Sequence, residues 1–339
     1  MRIVPNELDG SNVEQAGALM ATQNLAARQN RPELPASYDS PATCTAALQG
    51  LLDSGCRGVV ATSQDRPVAV MTAAVREVSV VGPYGRLAAE GFAVDPGLDD
   101  PTTVLALVYA ELAADLVARG VLRHYLLHVA QPQLYEALSN LGFGRESVYA
   151  VQPAAARASH PDVGVRVAGP GDFDTIARLA SVEIQHRAAP PMFWPKSSPS
   201  LDDLASEHRA LHDSGAVHLI ASLDGRDAGL LTIEFTSPEP RLCTPGQPYI
   251  GPTATTPDAR RRGVGRALVD TALSWASDQG YEWVGVDFAA ANPLSRPFWL
   301  DAGFQPTGFG LLRHIDPAHA RQRRGPDARP SWIAGAVSA

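Results

Sequence analysis

Thr253-Ala-Thr-Thr-Pro-Asp-Ala-Arg-Arg-Arg-Gly-Val-Gly-Arg-Ala-Leu268 joins an extended, Thr-rich run to a long amphipathic helical pattern through Arg260-x-x-Gly263-x-Gly265. Threonines favour a strand, and Pro257 ends it. The two glycines let the backbone turn with its N–H groups pointing inward, and a helix that begins there leaves its first amides without intrahelical partners. Those amides around Val264, the positive end of the helix dipole and the guanidinium groups of Arg260, Arg261, Arg262 and Arg266 describe a seat for a pyrophosphate. The spacing excludes two commoner phosphate loops. No Gly-Lys-Ser/Thr follows, and the sixth position of a dinucleotide fingerprint is Leu268 rather than glycine. A plain strand-to-helix turn would use both glycines but has no need of four arginines at one helical start.

Around this segment the chain reads as a two-domain enzyme. Its 339 residues suffice for two ordinary cores, and 45% hydrophobic with 19% charged residues is a globular balance. The net charge of −8 argues against nucleic acid as partner and suits a cationic, amine-bearing one. No signal-peptide order opens the chain, and the most apolar helical pattern, Val104 to Val117, carries Glu111 and Asp115. Cys44, Cys56 and Cys243 are odd in number and lack metal-ligand spacing. The expectation is a cytoplasmic protein with reduced thiols, no bound metal and no membrane span.

A constant offset shows an internal duplication. Pro96 and Pro257 lie 161 residues apart, as do Gly142-Phe143 and Gly303-Phe304. Each copy opens with a short strand (Arg2 to Val4; Val165 to Val167), passes through helices to a hairpin turning at Ser63 to Arg66 or Asp224 to Asp227, and continues strand, long helix, strand, shorter helix, closing strand. That order predicts an α/β fold with a mixed, mostly antiparallel sheet in each of two tandem domains, 1–151 and 163–316. Residues 152–162 read as a linker and 317–339 as a mobile tail. The copies differ at the cradle: the offset sets Asp99 under Arg260, Thr102 under Gly263 and Val104 under Gly265. Val104 takes a positive φ only at a cost, and Asp95, Asp99 and Asp100 repel a pyrophosphate. The N-terminal domain is therefore read as degenerate, with a second, weaker cofactor site there as the competing reading.

Arg-x-x-Gly-x-Gly after a Pro-ended strand, followed by Asn292, Phe298-Trp299 and Gly303-Phe304, resembles the GCN5-related N-acetyltransferase (GNAT) family over residues 163 to 316. The unequal tandem arrangement resembles mycothiol synthase-like acetyltransferases. The resemblance implies acetyl-CoA, or another acyl-CoA, as donor. It implies that the backbone of Thr253, Ala254 and Thr255 pairs with the pantetheine arm and polarises the acyl oxygen, with Asn292, Ser295 and Trp299 on the opposite side of the cofactor. Asn292 has a second, compatible reading as N-cap of the helix beginning near Leu294. Two features depart from the family pattern. The position seven after the Asn, usually a Tyr that protonates the leaving thiolate, is Trp299, and the strand before the cradle lacks the Glu that often activates the amine.

Candidates for the base are Glu234 on the hairpin strand, Asp287 at the end of Trp283-Val-Gly-Val-Asp287, Tyr249 on the strand before the cradle, and His186. The stiff, apolar segment Glu183 to Ser200, with His186, Phe193 and Trp194, reads as acceptor-pocket lining or as a packed connector, and the Pro-rich insert Thr236 to Gln247 as its opposite wall or as an interface with the first half. The acceptor is then an amine of a small metabolite, antibiotic-like compound or peptide. A protein lysine or N-terminus, and a non-catalytic acyl-CoA-binding module, are the other readings. Fusion of two copies suggests a monomer with an internal pseudo-dimer.

Overall fold

The computed structural model describes residues 2–78, 81–194, 199–235, 239–318 and 337–338. The first half runs β1 (Arg2–Glu7), α1 (Val13–Arg28), α2 (Pro41–Asp53), β2 (Arg57–Ser63), β3 (Arg66–Val78), β4 (Gly82–Leu87), β5 (Phe92–Val94), α3 (Pro101–Ala118), β6 (Arg123–Val129), α4 (Pro132–Asn140) and β7 (Gly144–Pro153). The second runs β8 (Gly164–Val167), α5 (Phe173–Ala188), α6 (Leu201–Asp213), β9 (Val217–Leu223), β10 (Arg226–Glu234), β11 (Tyr249–Thr255), α7 (Val264–Asp278), β12 (Trp283–Ala289), α8 (Ser295–Ala302) and β13 (Gln305–His314), and Val337–Ser338 forms β14. This is the expected α/β order in duplicate.

The repeat is physical as well as numerical. β2 and β9 carry the same burial pattern position by position. Both hairpins turn through two residues of positive φ, Gln64-Asp65 and Asp224-Gly225, the turn geometry whose twist matches that of antiparallel strands. α3 is apolar and long enough to cross a membrane, yet it lays Val104, Leu105, Val108, Leu112 and Leu116 into the first half's core. In the second half α5 and α6 bury Ile176, Leu179 and Leu204 against Ile220 and Leu230 of β9 and β10. α7 packs so closely on β10 that a Cβ at Gly229 would lie 2.6 Å from Val264.

The chain divides into two compact units that are not the sequential stretches 1–151 and 163–316. One comprises 1–147, 239–242 and 307–339; the other comprises 148–238 and 243–306. In the first unit the strand order is β14-β1-β2-β3-β4-β6-β13, with β13 antiparallel to β6 from Gly308↔Val129 to His314↔Arg123 and β5 added to β3. In the second it is β7-β12-β11-β10-β9-β8. Each unit thus takes the closing strand of the other half. The expected linker is tied to the second unit: Ala154 N–H donates to the Glu282 carbonyl, Arg157 N–H to Ser274 Oγ, and His160 bonds Asp270. Of the expected tail, 319–336 and 339 lie outside the described residues, and Val337 and Ser338 pair with Ile3 and Arg2.

Among the described residues four histidines are buried. His128 in the first unit and His208 in the second are pushed down to about 4 by burial, and burial also lowers His124 and His218. The folded chain binds protons at these sites more weakly than the unfolded chain, so stability is complete above an ordinary imidazole pKa of about 6.5 and falls as pH drops toward 4. We expect urea-unfolding midpoints to decline steadily between those limits, before carboxylates such as Asp172, held at about 2 chiefly by its Arg166 hydrogen bonds, begin to titrate; a flat midpoint would contradict neutral burial.

Candidate active site

The cradle forms as its residues dictate. After β11, a 3₁₀ turn over Pro257–Ala259 leads to Arg260 in extended conformation, Arg261 at φ 61° and Gly263 at φ 87°, and α7 begins at Val264. Nothing stands within 4 Å of a Cβ at Gly263, so its glycine answers to conformation rather than space. No side chain caps α7; its first internal bond is Ala267 N–H to the Gly263 carbonyl, 2.9 Å, which leaves the amides of Val264, Gly265 and Arg266 ahead of the ladder. The first half resolves the same position differently. There Asp100 caps α3, accepting Thr103 N–H at 3.2 Å, so the helix end already holds a carboxylate. Of the four arginines, Arg262 pairs with Asp224 at 2.8 Å and Arg266 with Asp270 at 3.0 Å, an aspartate shared with His160. Arg260 and Arg261 form no ion pair among the described residues and remain available to a phosphate.

Beside the cradle the sheet forks. β11 pairs antiparallel with β10 along its length, with a bulge opposite Thr232 that takes in Gly251 and Pro252. With β12 it pairs in parallel only at Tyr249↔Gly285 and Ile250↔Val286. From Gly251 to Thr255 no strand among the described residues pairs with the far edge of β11, so Thr253, Ala254 and Thr255 present backbone groups there.

Three titratable side chains meet at the fork. Glu234 sits opposite Tyr249 across β10 and β11, and its carboxylate lies over Gly251, where a Cβ would come 2.1 Å from Oε1. The Tyr249 ring lies over Gly285, where a Cβ would come 2.7 Å from the ring, and its hydroxyl donates to Asp287 Oδ1 at 2.8 Å. The two glycines clear the space that this cluster occupies. Burial raises the Glu234 carboxyl, with Asp287 and Glu207 adding to the shift. Burial also raises Asp287, opposed by the Tyr249 hydroxyl and by Arg187. Asp287 is nonetheless reached by solvent. Tyr249, raised well above its ordinary value by burial and by Asp287, stays a neutral donor.

The end of α5 closes over this cluster. Glu183 and Arg187 pair at 3.1 Å, Arg187 stacks 4.7 Å from the centre of the Trp194 ring, and His186 Nε2 lies 3.2 Å from Asn292 Oδ1. Asn292 also accepts from Leu294 N–H at 3.0 Å and Ser295 N–H at 3.1 Å, so its capping role is realised and ties Ser295 to it. Phe193, at φ 48°, is 68% exposed and stands apart from the cluster; Pro195 of the same segment lies outside the described residues. Trp299, expected beside the cofactor, is 4% exposed and packed edge-on against Phe298 and Phe304. Its neighbour Phe298, unassigned from sequence, reaches the cradle, its ring 3.3 Å from where a Cβ at Gly265 would stand. Glu183 and Arg187 went unassigned too, although their i, i+4 spacing one turn around His186 signals a shared helix face.

Residues 181–304 match the sequence model of the Acetyltransferase (GNAT) family. Among solved structures, the chain is similar to a GCN5-related N-acetyltransferase from Sphaerobacter thermophilus, at 15% identity and TM-score 0.59 over 93% of this chain and 96% of that one. It is also similar to a tandem GNAT protein from the clavulanic acid biosynthesis pathway, at 15% identity and TM-score 0.50 over 93% of this chain and 99% of that one. No curated protein matches it by sequence. The fold is thus the tandem GNAT fold.

Tyr249→Phe removes the donor that Asp287 faces. We expect a loss of about 1 kcal/mol in urea unfolding, the usual net worth of a hydrogen bond whose remaining partner can turn to water, with acyl-CoA affinity unchanged because the cradle is untouched. A silent substitution would mean the pair does not organise the fork.

Proposed function

We propose that this protein is an acyl-CoA-dependent N-acyltransferase that moves an acetyl group from acetyl-CoA directly to the primary amine of a small metabolite, antibiotic-like compound or peptide. The observation that carries the reading is the junction of three features on β11: an uncapped helix N-terminus, a free backbone edge and an acidic cluster at the fork. The residues present fit the cofactor. The amides of Val264 to Arg266, with Arg260 and Arg261, suit its pyrophosphate; the β11 edge suits the pantetheine arm; Phe298 flanks the cradle. When bound, acetyl-CoA supplies a thioester activated for attack by an amine.

The chain's own residues supply the rest. Glu234, raised by burial, is a stronger base than an exposed carboxylate and is poised to take a proton from an ammonium, directly or through water. Tyr249 fixes Asp287, and the carboxylates together favour arrival of a cation. His186, next to Arg187 on the same helix end, bonds Asn292. Trp299 is in the core and is no proton source, and the Tyr249 hydroxyl is committed to Asp287. A thiol pKa of about 8.5 makes acid assistance to the leaving thiolate dispensable. The same observation is what favours the runner-up, a non-catalytic acyl-CoA-binding module. Three buried free thiols support a reducing, cytoplasmic setting, and the duplication supports a monomer.

The test is release of free thiol from acetyl-CoA across a panel of small amines and lysine-bearing peptides. We expect turnover with at least one amine, a fall of about 100-fold or more in kcat for Glu234→Gln, and a wild-type rate that rises with pH through a carboxyl pKa above the ordinary 4.5, because only the deprotonated form accepts a proton. Cofactor binding without thiol release for any amine would establish the binding module instead.

A further inference from the structure

Arg241, 1% exposed, is the most deeply buried arginine among the described residues, and it comes from the segment Glu239–Leu242 that the chain inserts between β10 and β11. Among the described residues it forms no ion pair. Its guanidinium is held by neutral oxygens: Nη1 donates to the Ala89 carbonyl at 2.9 Å and to the Phe92 carbonyl, and Nη2 donates to Gln23 Oε1 at 2.8 Å and to the Met20 carbonyl at 3.4 Å. Burial lowers its pKa only to about 10, so it stays charged at neutral pH. Three backbone carbonyls and an amide around a desolvated cation resemble the seat of a bound ligand more than a surface ion pair that has drifted inward.

The place of that seat is informative. β4 runs parallel to β6 through Gly85, Arg86 and Leu87, opposite His124, Tyr125 and Leu126, and the pairing ends there. A 3₁₀ turn over Ala89–Gly91 follows, and β5 pairs with β3 alone. This is the first half's counterpart of the fork at which β11 leaves β12. Gln23 is the eleventh residue of α1, as Glu183 is of α5. The guanidinium therefore lies between fork and helix in the first unit, the position at which Asp287 and Tyr249 stand near Glu183 in the second. Gln23 Nε2 and Arg241 Nε have no partner, so the seat is specific without being fully satisfied.

We propose that Arg241 is a built-in ligand: its side chain fills the acceptor pocket that the first half inherited by duplication and closes that half to any amine or acyl group. The proposal rests on reading the second unit's fork as an acceptor site. It also replaces simple decay as the reason for one site per chain, because the pocket persists and is occupied.

The test uses the full chain and reads stability, so it stands whether or not the second unit proves to be a transferase. In Arg241→Ala the vacated seat should bind methylguanidinium: the melting temperature should rise saturably by a few degrees with methylguanidinium chloride, and neither the wild type nor a sodium chloride control should show that rise. Equal responses of variant and wild type would overturn the proposal. Gln23→Glu gives a second readout that needs no cavity. In the wild type it supplies the buried cation with a carboxylate and removes the orphaned amide, so the melting temperature should rise; in Arg241→Ala the same change buries a lone charge, so it should fall. A drop in the wild type, which can be measured even if Arg241→Ala does not fold, would overturn the proposal.

Discussion

The second unit depends on a strand that keeps only one of its two neighbours. β11 is bound to β10 throughout but to β12 only at Tyr249 and Ile250. The bulge at Gly251 and Pro252, the second of which has no N–H to give, lets the strand bend away. The bend exposes a backbone edge, leaves Glu234, Tyr249 and Asp287 together at the fork, and delivers the chain to the turn at Gly263. A β11 paired on both sides would offer none of these. Sheet stability is given up locally, and the surrounding core compensates: Ile220, Leu230, Leu268 and Leu273 are fully buried.

Duplication supplies a comparison within one molecule. Both halves keep the hairpin, the long helix and the fork, because those are packing solutions shared by two similar cores. They part at polar positions that packing does not decide. A carboxylate caps α3 where α7 is left uncapped, and an arginine occupies one fork where solvent reaches the other. The two helix starts thus differ in charge without a difference in fold.

Much of this was legible in the sequence because it is local. Gly263, the Thr-rich strand and the hairpin turns are written in residues that admit few conformations. Glu234, Tyr249 and Asp287 were each visible as titratable groups in strands, and the strand order brings them together. What could not be read is what neighbours decide. The exchange of β7 and β13 leaves no trace, since an alternating strand pattern does not say which strand lies beside it. The burial of Trp299 and the partial burial of Phe298 differ by one step on a short helix, inside the error of any periodicity. Arg262 and Arg266 look as free as Arg260 until Asp224 and Asp270 are found beside them. Arg241 was hidden most completely, because a Pro-rich insert reads as a surface loop.

The central claim is that one cradle, at the start of α7, serves the whole chain. Isothermal titration of acetyl-CoA into the wild type and into Gly263→Asp tests it most directly, since the aspartate places both a strained backbone and a negative charge where the pyrophosphate would sit. The account predicts one site per chain in the wild type and none in the variant. Two sites, or binding that survives the substitution, would contradict it.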